Sequence, residues 1–355
     1  MQDQRLEWEK EFKAWAEANP KLKKEWDQAV ELKLPVDLRE EIMDLEIETP
    51  IASRKSAGAA LTKAFELVPY LVGGSADLAP STKTYNGEYG EVQKDNYKGR
   101  NFRFGVREHA MGAITNGLSL HQGLRPFAAT FLVFSDYMRP SIRLAALMKQ
   151  PVIYVFTHDS VFVGEDGPTH QPVEHVEALR IIPGLKVLRP GDEEEAKAAW
   201  VEALETTEQP TALILTRQNL EHIEKYQGLD NFNNGGYFVS NPEAAETIIF
   251  ASGSEVNLAE ETAKLLAEKG IKAAVMSVPE RRKLEKYAAE HELPEVKLRV
   301  AVEAGVSNGW YKLVGRDGLV IGLDRFGLSG KGQEVGEDLG FKAEKVAAEI
   351  EAALK

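Results

Sequence analysis

The sequence predicts an α/β fold: two consecutive α/β domains with mostly parallel sheets, preceded by short amphipathic helices. Three observations carry this prediction. Short apolar runs alternate with helical segments, the pattern of βα units around a parallel sheet. That alternation is interrupted once, by a turn-rich stretch, and then resumes. The 355 residues also exceed the ~100–200 usual for one domain.

Residues 1–50 form a helical segment of their own. Trp8, Phe12 and Trp15, then Leu22, Trp26 and Val30, recur at intervals of three and four among dense charges. They predict two short helices broken at Asn19-Pro20. So much aromatic surface in so short a segment predicts docking, onto this chain or onto another. Residues 51–225 form the first α/β domain, with strands expected at YLVGG (70–74), FRFGV (102–106), RPFAAT (125–130), PVIYVF (151–156), LKVL (185–188) and TALIL (211–215). Asp192 and Glu195 open the helix EEEAKAAWVEALE in the manner of a capping box. Residues 226–241, with GLDNFNNGG inside, predict a linker. The second α/β domain spans 242–355 and repeats the pattern in TIIFAS, LAEETAKLLAEKG, KAAVMSV, LRVAVEAG and LVIGL.

Composition removes several classes of function. There is no cysteine, which excludes disulfide scaffolds and thiolate-ligated metal sites. A net charge of −13 argues against a nucleic-acid footprint, so an anionic substrate must meet local basic groups. No apolar run approaches the roughly 20 residues of a membrane span, and the amino terminus lacks signal-peptide features. A cytoplasmic protein with no membrane contact is the expectation.

In open parallel sheets ligands gather beyond the carboxyl ends of strands. There the sequence places Asp77 and Ser81, then Glu108, then His158, then Arg217, and five of the seven histidines fall between His109 and His175. Glu108 opens a helix with Gly112, Ala113 and Gly117 on it, small enough for close approach. Phe127, Phe131, Phe134 and Tyr137 form one stripe if that segment is helical. A carboxylate beside such rings suits a flat heteroaromatic ring with a basic nitrogen. The loop VGEDGPTHQPVEH (163–175) takes an irregular path that makes Asp166 and His170 candidates for polar substrate contact. His170 and His175 are five apart and no thiolate exists, so no metal site is expected here. Arg54 and Arg217 are candidates for bidentate phosphate contacts, with His158 adding a donor or a charge. FASGSEV, ahead of a helix, reads as capping chemistry.

Taken together, IASRKSAG, GGSADLAPS, GVREHAMGAI, TFLVFSDY, YVFTHDS, GEDGPTHQPVEH and PTALILTRQN resemble the pyrimidine-binding domain of transketolase, and the likeness continues through RVAVEAG of the last domain. The resemblance implies that Glu108 hydrogen-bonds the aminopyrimidine of thiamine diphosphate, with Phe131, Phe134 and Tyr137 lining its pocket and Asp77 nearby. It implies that His170 and Asp166 contact ketose hydroxyls, His170 among the catalytic groups, and that Arg54, Ser81, His158 and Arg217 hold the sugar phosphate. The implied reaction transfers a two-carbon ketol unit from a ketose phosphate to an aldose phosphate.

The family also carries an amino-terminal domain, with Gly-Asp-Gly and a downstream Asn, that binds the diphosphate and its Mg²⁺. Glu165-Asp166-Gly167 and Arg316-Asp317-Gly318 are the near matches, and neither has that context. The resemblance therefore implies the smaller subunit of a split transketolase, or a fragment, inactive without an amino-terminal subunit. An α₂β₂ assembly around a homodimer core is expected, with diphosphate and metal ligands on the partner chain. Phe326–Lys331 departs from the family's F-G-x-S-A-P. A β-subunit of a 2-oxo-acid dehydrogenase and a noncatalytic dimerisation or regulatory module of the same fold are the alternatives.

Overall fold

Residues 2–355 are described by a computed structural model. The chain begins with α1 (Gln2–Ala18), α2 (Pro20–Val30) and α3 (Leu38–Met43). Pro20 stands at the first helical position of α2, where its missing N–H costs nothing, so the break falls at Asn19-Pro20. Trp8, Phe12, Trp15 and Trp26 pack against one another, with neighbouring centroids 5.0–6.4 Å apart, yet neither α1 nor α2 buries a residue. One edge of α2 borders Pro69, Tyr70 and Leu124 of this chain. The firm anchor is α3, whose Leu38 and Ile42 are buried in the main core.

The first domain runs α4 (Ser53–Leu67), β1 (Leu71–Ser75), α5 (Ala79–Thr82), β2 (Asn101–Arg103), α6 (Glu108–His121), β3 (Arg125–Phe131), α7 (Ser135–Leu147), β4 (Ile153–Thr157), α8 (His175–Arg180), β5 (Lys186–Leu188), α9 (Glu193–Glu205) and β6 (Thr211–Leu215). Its strands form one parallel sheet in the order β2-β1-β3-β4-β6-β5. The central strands are buried along their whole length, as expected of a sheet covered on both faces. On one face α4 and α9 bring Phe65 and Trp200 edge-on against Phe127, at 5.8 and 6.3 Å. On the other, Met111 and Met138 of α6 and α7 cover Tyr154 and Phe156. Each such side chain contributes about 1.5–3 kcal/mol by leaving water. A Cβ on Gly73 would lie 2.3 Å from the Phe127 carbonyl oxygen, so only glycine lets β1 and β3 pack this way.

The second domain contains β7 (Tyr237–Phe238), β8 (Thr247–Ala251), α10 (Glu255–Glu268), β9 (Ala273–Ser277), α11 (Arg281–Glu290), β10 (Leu298–Val302), α12 (Tyr311–Val314), β11 (Leu319–Ile321), α13 (Gly332–Asp338) and α14 (Ala343–Ala353). Its sheet has the order β11-β10-β8-β9-β7, parallel except for β7.

Three expectations need correction. The stretch 226–241 is more than a linker, because β7 lies within it and pairs antiparallel with β9, Tyr237 opposite Ser277. The strand expected at 102–106 ends at Arg103, where Gly105 at φ +68° turns the chain away. Phe127, Phe131, Phe134 and Tyr137 share no helical stripe. Phe127 and Phe131 lie on β3, Phe134 in a short 3-10 turn and Tyr137 on α7.

Candidate active site

The strand order reverses between β1 and β3, the place where an open parallel sheet leaves a crevice at its carboxyl edge. Register decides what lines it. Ser75 pairs with Ala129, Phe131 with Thr157, and Thr157 with Leu215. Asp77, Phe131, His158 and Arg217 therefore emerge side by side from β1, β3, β4 and β6. Arg54 joins them through the start of α4. The Ser53 amide donates to the Thr216 hydroxyl (3.0 Å) and the Thr216 amide to the Ser53 hydroxyl (2.8 Å), which fixes Arg54 beside Arg217.

Contacts within the crevice are specific. Arg54 Nη1 donates to the Ser81 carbonyl at 2.8 Å, so Ser81 is engaged through its backbone, and lies 3.5 Å from His158 Nε2. His158 Nδ1 lies 2.8 Å from the Thr157 hydroxyl, and its ring is 3.7 Å from that of Phe131. Burial, followed by the charges of Arg54, Arg217 and His170, pushes the His158 imidazole down to about 3. It is neutral at pH 7 and supplies a hydrogen-bonding group, which removes the charge expected as one of its options. Burial and the charge of Arg217 also lower Arg54. Arg54 Nε and both amide atoms of Gln218 are buried without a partner among the described residues. The two donors among these atoms, Arg54 Nε and Gln218 Nε2, are what an anionic ligand would complete, while Gln218 Oε1 can accept from a hydroxyl.

Phe131 stacks on Phe134 (6.0 Å) and Phe134 on Tyr137 (6.1 Å), while His170 meets the edge of Phe134 at 5.5 Å. Glu108 is buried at the first position of α6 and makes no side-chain hydrogen bond or ion pair among the described residues. The Ser141 hydroxyl of α7 donates to the carbonyl of His109 (3.2 Å), which seats that end of α6 against the helix carrying Tyr137. A carboxylate without a protein partner on a buried residue, together with a ladder of rings that runs from buried Phe131 to exposed Tyr137, fits a heteroaromatic ring with a basic nitrogen. Asp77 is exposed, with φ +62°, and makes no side-chain hydrogen bond among the described residues.

The loop after β4 is held from the second domain. Gln171, buried, donates to the carbonyls of Gly164 and Leu328, both at 2.8 Å. A Cβ on Gly164 would lie 2.5 Å from the Gly332 amide nitrogen. The divergent stretch Phe326–Lys331 thus packs beneath the loop that carries Asp166 and His170. Asp166 is exposed, and its neighbour Glu165 lies 3.8 Å from Arg217. Gln171 is absent from the sequence-derived set, although it sits inside a motif singled out there, because an amide in a loop carries no charge or spacing signal; Gln218 was legible only as a polar residue after the TALIL strand.

Residues 49–222 match the family model described as the transketolase pyrimidine-binding domain. Residues 235–342 match the transketolase-like C-terminal domain. The chain belongs to the transketolase family. It is 47% identical over 355 residues to the transketolase of Halalkalibacterium halodurans, covering 98% of this chain and 53% of that protein. A transketolase from Pichia stipitis, solved with sedoheptulose 7-phosphate, superposes with a TM-score of 0.93 at 37% identity, over 99% of this chain and 53% of that one. A structure described as a split gene transketolase, an inactive beta4 tetramer, superposes with a TM-score of 0.68 at 27% identity, over 86% of this chain and 99% of that one. This chain spans about half the length of the curated relatives it matches, and corresponds to the carboxy-terminal half of a transketolase. Among the described residues, no helix is long and apolar enough to cross a membrane.

Proposed function

We propose that this chain supplies the pyrimidine-binding and sugar-phosphate-binding half of a transketolase, and that a separate amino-terminal chain supplies the diphosphate and Mg²⁺ site. The observation that carries this reading is the convergence of Arg54, His158, Arg217 and His170 with the Phe131–Phe134–Tyr137 ladder at one sheet edge, beside a partnerless Glu108. Thiamine diphosphate, when bound, supplies the carbon nucleophile that attacks a ketose carbonyl. Glu108 holds a proton at the pyrimidine ring nitrogen, and the stacked rings orient that heterocycle and exclude water. Asp77 lies toward the same end of the cofactor. Asp166 and His170 orient the sugar hydroxyls, and Arg54, Arg217, neutral His158 and the Ser81 turn hold the phosphate. The phosphorylated sugar bound in the Pichia stipitis relative supports this ligand class.

Like chains are expected to pair through α6 and α7, where Ile114, Leu120, Tyr137, Leu144 and Leu147 leave an apolar face open, each at least 46% exposed. The beta4 assembly of the split-gene relative supports such pairing.

The test is reconstitution. The chain alone should show no transfer from xylulose 5-phosphate with thiamine diphosphate and Mg²⁺, and activity should appear when an amino-terminal transketolase subunit is added. Turnover by the isolated chain would overturn the half-enzyme reading. In the reconstituted enzyme, Glu108→Ala should lower the rate by at least about a hundredfold, the low end of acid–base participation. A rate near wild type would remove Glu108 from the assignment.

A further inference from the structure

The two domains also meet at the opposite edge of the first sheet, where its strands begin. A cavity of about 240 Å³ lies there, between the starts of β5 and β6 and the first turn of α11. Lys186 at the head of β5 and Gln209 ahead of β6 line it from the first domain, and Glu280, Arg282, Lys283 and Lys286 line it from the second. None of these residues belongs to the crevice at the carboxyl edge. We infer that this interdomain cavity is a second ligand site, one that takes a small polyol phosphate, with the phosphate against Arg282, Lys283 and Lys286 and a hydroxyl against Glu280.

Charge is arranged there in a way that folding alone does not require. The first turn of α11 reads Arg281-Arg282-Lys283, although the amino end of a helix favours acidic residues. Arg281 is accounted for, because Glu177 accepts from it at 2.6 and 3.0 Å. Arg282 is held through Nη1 alone, which donates to the carbonyls of Arg180 (3.2 Å) and Ile182 (2.8 Å) and leaves the rest of its fork without a protein partner among the described residues. Lys186 is bound to Glu202 and Thr206, whereas Lys283 reaches Glu202 only at 3.5 Å. Lys286 is exposed and makes no ion pair among the described residues. Glu280 precedes α11 without capping it, and its carboxylate makes no hydrogen bond or ion pair among the described residues. Burial raises that carboxyl, while Lys186, Lys283 and Lys286 pull it the other way. The lysines are thus within electrostatic reach of Glu280, yet none comes within 4.0 Å of it. Flexible cations would close on a bare carboxylate if nothing else were to occupy the space between them.

The balance of charge sets the class of ligand. Lys186, Arg282, Lys283 and Lys286 against Glu202 and Glu280 leave an excess of two positive charges, close to the ~1.5–2 negative charges of a phosphate monoester at pH 7. Arg180, which also borders the cavity, is neutralised by Glu303. A zwitterion would leave that excess standing. The free amides in the first turn of α11 add donors suited to phosphate. Glu280 repels a bare anion but accepts from a hydroxyl, and the Gln209 amide can do the same, so a phosphate that carries hydroxyls is preferred to inorganic phosphate. The volume falls below the ~300–1,000 Å³ of sites for drug-sized ligands, which suits a phosphorylated monosaccharide and not a nucleotide. Such a ligand would tie the first domain to α11 of the second. The inference does not depend on the ketol-transfer reading, because binding is read on this chain alone.

The experiment titrates the full chain by calorimetry with glucose 6-phosphate, glucose and inorganic phosphate, in the wild type and in Arg217→Ala, which weakens the crevice and leaves this cavity untouched. Saturable binding of glucose 6-phosphate should persist in Arg217→Ala, with a rise in Tm because the ligand binds only the folded state. Glucose should not bind, and inorganic phosphate should bind at least about fivefold more weakly. Lys283→Ala and Lys286→Ala, each added to the Arg217→Ala chain, remove side chains outside the core and should weaken glucose 6-phosphate at least about fivefold. Glu280→Ala should tighten inorganic phosphate and erase the preference for the sugar phosphate. Absence of saturable binding in Arg217→Ala up to about 10 mM, binding unchanged by both lysine substitutions, or inorganic phosphate binding as tightly as glucose 6-phosphate in the wild type would each overturn the assignment.

Discussion

At the scale of single residues, the carboxyl edge of the first sheet shows how a protein of net charge −13 collects cations for one task. Arg54 and Arg217 face each other without a strong internal counter-ion, since the contact of Arg217 with Glu165 is 3.8 Å long and both side chains are exposed. Such a pair adds little to stability. Arg217→Ala is therefore expected to leave Tm nearly unchanged and, in the reconstituted enzyme, to raise KM for phosphorylated ketoses with kcat little altered. Steady-state kinetics with matched phosphorylated and unphosphorylated donors check this, and an equal loss with both would remove the phosphate role. The residues involved were legible in the sequence because charged side chains stood directly after apolar runs. Their proximity was not, because register across four strands is a tertiary property. The neutral state of His158 was hidden as well, since it follows from burial and from cations distant in sequence.

Among elements, α9 illustrates a motif read correctly in type and differently in use. Asp192 caps the helix as expected, accepting from the Glu195 amide at 2.8 Å. Glu195 accepts instead from the Gly191 amide (2.7 Å), the Tyr237 hydroxyl (2.7 Å) and the Ser277 hydroxyl (2.5 Å), the last two on the second sheet. Burial, and then the nearby Asp192 carboxylate, push the Glu195 carboxyl up to about 7. The folded chain thus keeps a proton between about pH 4.5 and 7 that the unfolded chain releases, so the stability tied to it is present below that window and lost as pH rises through it. Wild type should accordingly lose stability relative to Glu195→Gln between pH 5 and 8 in urea melts, and parallel pH profiles would refute the shift. The aromatic ladder teaches the opposite lesson. Spacings of three and four suggested a helix, but β3, a 3-10 turn and α7 meet there and bring the rings together by packing. A period of three to four says nothing about rings drawn from different elements.

Over the whole molecule, the two domains are joined by buried charge. Arg189 bonds Asp159 of the first domain at 2.8 Å and Glu255 of the second at 2.5 Å, while Arg180 meets Glu303 through its two terminal guanidinium nitrogens at 2.7 and 2.8 Å. Burial opposes ionisation of Glu303, but Arg180 and Arg189 outweigh it and hold its carboxyl below the usual carboxylate range. These arginines occupy the reversal point between β8 and β10, where a second crevice would otherwise open. The Gly253 turn ahead of α10 accordingly packs on Arg189 and leaves no room for a free anion, in keeping with its structural reading. Arg189→Met would strand Asp159 and Glu255 without their cation, and should cost about 3–5 kcal/mol by urea unfolding. A loss below about 1 kcal/mol would show that the seam relaxes around the gap. The sequence by itself determined the fold class, the order of the strands along the chain, the break at Pro20 and the residue types at the strand ends, because these follow from local periodicity, backbone chemistry and composition. Only the tertiary structure decided which strand ends share a crevice, that the second crevice is filled by arginines of the first domain, and that Phe326–Lys331 supports the His170 loop. Each of these depends on strand register or on contacts between residues far apart in the chain, and neither leaves a local trace.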